Sequence, residues 1–290
     1  MGSIAPSLPD RADDRLFCQL ESVSVAPVWT IAAAVAAVLD AAGSLAPMRG
    51  APSGPMRKLG PAGMAGLVEA ATHGGDPDDV WIKFERPEVD LWGDVLIYSD
   101  TRLDTDPRTH TVQFNLPLRT LTQDPGTADA VAKLAGDLFV AVQGFYGKLD
   151  AAAVRNRMIA LHGRAADEGR RWIPPWDDLT YSIWDRWVED VWWVNLFGPA
   201  YVQRWRRKTF DQLGIRRVDL DNGGLMVWSG DLPADPDEAE SVTGFGHKQS
   251  FYRVLGMETF IHESLDVPGP GERVPTLYDH REAAQSGGRG

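Results

Sequence analysis

Thr111-Val112-Gln113-Phe114-Asn115-Leu116 alternates a polar with an apolar residue along its whole length. Successive side chains of a strand point to opposite faces. Val112, Phe114 and Leu116 therefore address a core, while Thr111, Gln113 and Asn115 address polar surroundings. Upstream, Val80 to Phe84 and Asp94 to Ser99 are short runs rich in β-formers, with no helical pattern between them. Three neighbouring strands without intervening helices predict an antiparallel meander. Downstream, Arg216 to Leu220 and Leu225 to Ser229 flank Asp221-Asn222-Gly223-Gly224, where Asn-Gly signals a tight hairpin turn. The predicted class is α+β, mainly antiparallel sheet with helices packed on it.

The helices come from the period of 3.6. Val28 to Leu39 is apolar nearly all round, with Pro27 placed for a first turn. Ala65 to Ala71 reads as a short helix stopped by Gly74 and Gly75. Thr127 to Gln143 carries Val131, Leu134, Ala135, Leu138, Phe139 and Val142 as one stripe. Thr127 is a candidate cap for its start and Gly144 for its end. Ala151 to Leu161 is ambiguous. Val191 to Phe197 reads as a buried strand, and Pro199 to Leu213 as a helix ended by Gly214. The expected core includes Val131, Leu138, Phe139, Trp193, Phe197, Trp205 and Leu225.

This grammar of strands with a packed helix occurs twice. The expected organisation is a mobile tail at 1–15, an α+β half at 16–163, a second at 164–282 and a tail at 283–290, the two halves being similar and joined in one compact unit. The boundary falls in the charged, turn-rich stretch from Gly163 to Pro175.

Composition narrows the function. Cys18 is the one cysteine, which excludes an intramolecular disulfide and a cysteine-rich zinc site. Its expected place is the mobile N-terminal region, without a basic partner. The run from Val28 to Leu39 is too short to span a bilayer and has acidic flanks, so neither a membrane span nor an export signal is expected. A lone thiol suits a reducing cytoplasm. The net charge of -12 argues against nucleic acid as a partner and fits a basic one.

No catalytic pattern is legible, and no cofactor is expected. None of the six histidines has another three to five residues away. His262-Glu263 opens like HExxH, but Asp266 stands where the second histidine belongs. Asp235, Asp237, Glu238 and Glu240 lack the glycine and spacing of a calcium loop. There is no GxSxG elbow, GxGxxG turn or Walker loop. An alternative reading is a small-molecule enzyme or binding protein with a tryptophan-lined pocket, with His110 and His262 as acid–base candidates.

Two charge features remain. Asp76 to Asp106 holds ten carboxylates against three basic residues, and Asp231 to Glu240 holds five with no base. The expected partner-binding residues are Trp92, Asp94, Asp100, Asp104 and Asp106 in the first region, and Asp231, Asp235, Asp237, Glu238 and Glu240 in the second. Trp92 would be the anchor, provided the two regions meet. Arg204, Arg206, Arg207 and Lys208 form a basic island, expected to pair with carboxylates of the chain itself.

Trp192-Trp193-Val194-Asn195-Leu196-Phe197-Gly198-Pro199-Ala200-Tyr201-Val202, followed by a helix and the Gly223-Gly224-Leu225-Met226-Val227 hairpin, resembles a segment of bacterial polymorphic-toxin immunity proteins of the immunity-52 and type VI kind. The resemblance covers about Trp187 to Gly230. It implies an α+β fold and a function of binding and occluding a cognate toxin. Phe260 to His280 and the long N-terminal region depart from that pattern.

Overall fold

A computed structural model of the chain describes residues 14–24, 26–52, 54–72, 79–99, 109–123, 125–156, 191–205, 211, 214–233, 251 and 255. Its strands are β1 (Arg15–Ser22), β2 (Arg49–Ala51), β3 (Arg57–Lys58), β4 (Asp79–Arg86), β5 (Leu91–Tyr98), β6 (His110–Pro117), β7 (Tyr146–Ala151), β8 (Val194–Phe197), β9 (Arg217–Asp219) and β10 (Leu225–Trp228). The helices are α1 (Val28–Asp40), α2 (Gly63–Thr72), α3 (Arg119–Gln123), α4 (Pro125–Ala141) and α5 (Pro199–Trp205). All strands join one sheet in the order β3-β2-β4-β5-β6-β1-β7-β8-β10-β9, and every pairing is antiparallel. The α+β class and antiparallel sheet read from the sequence are thus observed. Strands β7 and β8 flank residues 163–175, which lie outside the described residues, and they are hydrogen-bonded neighbours.

The two faces of the sheet are covered differently. On one face Leu16, Cys18, Leu20, Val80, Ile82, Phe84, Val95, Ile97, Val112, Phe114 and Leu116 meet α1, α2 and α4 in a continuous core. Helix α4 presents the predicted stripe of Val131, Leu134, Ala135, Leu138, Phe139 and Val142, all buried. The opposite face has a smaller core at one end only. There Phe17, Tyr146, Trp192, Phe197, Leu225 and Val227 meet Tyr201 of α5, Phe251 and Leu255. Aromatic rings dominate it, with Phe17 edge-on to Trp192 and Phe197 edge-on to Trp205.

Several expectations need correction. Arg15 belongs to β1, not to a tail, and Cys18 is a buried residue of that strand. Burial pushes the Cys18 thiol well above its ordinary range, so it is no candidate nucleophile. Trp205 is only partly buried, at the rim of the smaller core. Helix α4 begins at Pro125, so Thr127 lies within its first turn rather than capping it. At the other end the left-handed residue is Gln143, at φ 55. Gly144 donates its N–H to Phe139 O and lies so close to the Phe139 ring that a side chain there would collide. In the ambiguous stretch from Ala151 to Leu161, Ala151 closes β7 and residues 152–156 are helical.

Some local signals read correctly. Gly223 has φ +81, and the Asn222 side chain accepts the Gly224 N–H, giving the tight turn between β9 and β10. Helix α2 receives a cap from outside itself: both Asp40 carboxylate oxygens accept N–H groups, from Met64 and Ala65. A carboxylate at a helix N-terminus satisfies orphan donors and complements the dipole.

Trp193 joins the two layers. Its ring is buried in the larger core, its N–H donates to Asp150 Oδ2 at 3.0 Å, and its indole N–H donates to Gly230 O at 3.2 Å. Trp193→Ala is expected to cost about 3–5 kcal/mol, the usual toll for truncating a buried aromatic. Urea unfolding would check this, and a wild-type midpoint for the variant would refute the packing role.

Candidate functional site

Among the described residues, the part of the second face left uncovered is the outer surface of β4, β5 and β6, with Arg15 at the start of β1 beside it. Strand alternation decides what stands there. In Val80-Trp81-Ile82-Lys83-Phe84, the apolar residues at 80, 82 and 84 point into the core, so Trp81 and Lys83 point out. In β5, Trp92, Asp94, Leu96 and Tyr98 point out for the same reason. Trp81 is 48% exposed and Trp92 46%. Gly93 between Trp92 and Asp94 faces inward, and a Cβ there would come 2.3 Å from Gln113 O and 2.5 Å from the Phe84 ring. The backbone is pressed down at that point, and only glycine fits.

A polar row crosses this face. Lys83, Asp94, Gln113, Gln19, Lys148 and Asn195 stand directly opposite one another on β4, β5, β6, β1, β7 and β8. Asp94 accepts hydrogen bonds from Gln113 and from the Trp81 indole, and Lys83 lies nearby. Burial raises the Asp94 carboxyl above its usual range, and those three partners oppose the shift. Lys83 also places Nζ 4.3 Å from the Trp81 ring centroid, a cation–π contact. Trp81 and Trp92 flank the Lys83–Asp94 pair, two residues to either side, which puts them roughly 14 Å apart. Beside Trp92, Arg15 donates to the Asp90 carboxylate at 2.7 Å and to its carbonyl at 2.6 Å, with its guanidinium 5.9 Å from the Trp92 ring. Asp90 holds a left-handed conformation, φ 50, to present both oxygens.

Toward β7 the row goes under cover. Lys148 and Asn195 are buried, and Lys148 Nζ lies 5.0 Å from the Trp192 ring. Asn195 accepts the Trp192 N–H and donates to Trp192 O. Asp150 accepts N–H groups from Ala151 and Trp193. Glu21 sits at the junction, buried, accepting hydrogen bonds from Gln19, Thr109 and Thr111.

Of the residues expected to bind a partner, Trp92, Asp94 and Asp231 are described; Asp100, Asp104, Asp106, Asp235, Asp237, Glu238 and Glu240 lie outside the described residues. Trp92 and Asp94 share the open face. Asp231 follows β10, five strand spacings from β5, roughly 24 Å across the sheet, so these described members are not brought together. Trp92 also lies roughly 20 Å from the Tyr98 end of β5, where the segment 100–108 begins. Trp81 was not among the expected residues, although the alternation of Val80 to Phe84 carries the signal for it. His110, the acid–base candidate of the alternative reading, is buried: Nδ1 accepts the Tyr98 N–H at 3.1 Å, and Nε2 faces Ser24 O at 2.9 Å. A carbonyl only accepts, so Nε2 carries the proton and both nitrogens serve backbone bonds. His262 and the basic island from Arg206 to Lys208 lie outside the described residues. Among the described residues no cluster of three metal-ligating side chains occurs, and no helix is long and apolar enough to cross a membrane.

Glu21 sets a pH dependence. Burial pushes its carboxyl up to about 7 from about 4.5, opposed by Thr109, Gln19, Thr111 and the charge of Lys148. Between those values the folded state holds more protons than the unfolded one, so stability falls as pH rises from 4.5 through 7. Glu21→Gln is expected to flatten that slope and to be more stable than wild type at pH 8, by up to about 3 kcal/mol. Urea titrations at pH 5 and pH 8 would show it, and an unchanged slope would refute the assignment.

No family model and no curated protein sequence matches the chain. Among solved structures, a Pseudomonas aeruginosa T6SS protein, PA0821, is similar in fold, with a TM-score of 0.55 and 10% identity over 90% of this chain and 78% of that one. At that identity the likeness is one of backbone arrangement. The chain shares its α+β architecture with a bacterial T6SS protein whose residues are almost entirely different.

Proposed function

We propose that this chain is an immunity protein that binds and occludes a cognate toxin in the cytoplasm, with the open face of β4, β5 and β6, bordered by Arg15, as its contact surface. The observation that carries this reading is the pair of exposed tryptophans, Trp81 and Trp92, held on a rigid sheet with Arg15 and Lys83 beside their rings. Tryptophan and arginine are the residue types over-represented among interface hot spots, and an apolar ring left in water gains most from a partner. The fold likeness to a T6SS protein and the Trp192 to Val202 segment support the same reading.

Charge supports a basic partner. The net charge of -12 would steer a cationic surface toward this face, with Asp94, Asp100, Asp104 and Asp106 along β5 and its following segment. The five carboxylates of Asp231, Asp235, Asp237, Glu238 and Glu240 would add to the long-range field rather than to the same contact. Steering acts on the on-rate, whereas the ring contacts set the off-rate.

Co-expression with the product of the neighbouring gene, tested as the candidate toxin, followed by kinetics of the purified pair, tests the proposal. Trp81→Ala and Trp92→Ala are each expected to raise the dissociation rate by about tenfold or more without altering the melting temperature. Raising ionic strength, or neutralising Asp100, Asp104 and Asp106 together, should slow association. A toxin that binds both folded tryptophan variants as tightly as wild type would overturn the choice of face. No complex with the neighbouring gene product would overturn the function itself.

A further inference from the structure

Opposite electrostatics appear at the far edge of the sheet. Among the arginines and lysines whose side chains are described, Arg57 and Lys58 are left without a carboxylate, carbonyl, ring or other partner, and the others have one. In a chain of net charge -12 with carboxylates in excess, two adjacent unpaired cations are unexpected. They make up β3, the terminal strand, and both are exposed.

The strand borders a groove of about 610 Å³ between β3 and α2. Its floor and walls are apolar or small: Ala51, Leu59, Pro61, Gly66, Leu67 and Ala70. Glycine lets α2 pack close to the strand here, since a Cβ on Gly50 would come 2.8 Å from Leu67 Cδ2. Arg57 pairs with Gly50, so it stands on the α2 side of the sheet, at the groove. Backbone polarity adds direction. Leu59 N–H donates inward to Met48 O, so Leu59 and Arg57 bond toward β2, and the alternation of an antiparallel ladder turns the N–H and C=O of Lys58 outward.

We propose that this groove takes an extended acidic segment of a partner protein, which adds to β3 as a further antiparallel strand. Main-chain bonds to Lys58 would set its register. Side chains on one face would then fall over the apolar floor beside α2, below Arg57 at the groove, and carboxylates on the other face would meet Lys58, which stands opposite Arg49 on the other side of the sheet. The groove and Arg57 lie on the helix-bearing side of the sheet, opposite the face of Trp81 and Trp92, whereas Lys58 stands on the Trp92 side at the sheet edge, two strands from β4. The charge requirement is reversed as well: this site selects an acidic chain, the open face a basic surface.

A short fluorescent peptide alternating valine with glutamate is the probe, compared with its valine–lysine counterpart and with a glutamate version whose backbone amides are N-methylated. Fluorescence anisotropy with the full chain should show salt-sensitive binding of the first peptide alone. The double variant Arg57→Glu, Lys58→Glu should weaken it by about tenfold or more while keeping the wild-type melting temperature, since both side chains are exposed. Absence of binding would overturn the proposal, leaving the basic edge as a guard against aggregation. Equal binding of the N-methylated peptide would overturn strand addition. A wild-type mass in sedimentation that grows with concentration, and a double variant that stays monomeric, would make a second copy the occupant and overturn the partner assignment.

Discussion

The ladder through β1 is the interaction on which the rest of the structure depends. β1 is paired along both edges, to β6 from Arg15 to Ser22 and to β7 from Leu16 to Glu21. Without it the meander of β2, β4, β5 and β6 would have no hydrogen-bonded link to β7, β8, β10 and β9. A strand in that position cannot present free backbone groups or accommodate a charge on its core face. Leu16, Cys18, Leu20 and Ser22 meet that demand on the helix side; Phe17 and Glu21 meet it on the other, one by an edge-on ring and one by three side-chain donors.

β1 is also where the sequence misleads. It begins directly after a polar, proline-containing stretch, and Leu16-Phe17-Cys18-Gln19-Leu20-Glu21 does not alternate cleanly because Phe17 is buried on the face where Gln19 and Glu21 lie. A strand covered on both faces loses the period of two that reveals a half-exposed one. β7 is hidden for the same reason. Lys148 and Asp150 resemble surface residues, yet both are buried, opposite Gln19 and Phe17 of β1, and are engaged with the Trp192 ring and the Trp193 N–H. By contrast β4, β5 and β6 alternate because one face is open, and that same openness makes them legible and makes their outer residues available. The candidate face is therefore half legible: the acidic run points to Trp92 and Asp94, while the signal for Trp81 lies in its alternation alone. The distance between Asp231 and β5 follows from strand order, which local patterns do not encode.

Polarity on the second face is graded rather than patchy. The row from Lys83 to Asn195 begins in solvent and ends in the aromatic core, and its members change character on the way. Lys83 is held by a ring and a nearby carboxylate at the surface; Lys148 is held by a ring in the interior. Glu21 lies where cover begins, and its carboxyl is pushed up to about 7 by that burial. Asp94, one step from solvent, is shifted in the same direction but keeps donors on two sides. A charge is tolerated along this row in proportion to the partners it finds. That constraint explains why the exposed end carries both signs in close pairs.

Such pairing bears on how an acidic chain can use the face. A patch of bare carboxylates would attract any cation and orient none. Here the local charges are already arranged: Arg15 is fixed by both oxygens of Asp90, and Lys83 by Trp81 with Asp94 beside it. The unpaired field must then come from the rest of the chain, which acts at a distance, whereas the tryptophans act at contact. Rings on a sheet lose little rotamer freedom when covered, because strand neighbours and cation contacts have already restricted them. Attraction and anchoring are thereby assigned to different atoms, and a surface so divided can gain speed from charge without depending on charge to stay bound.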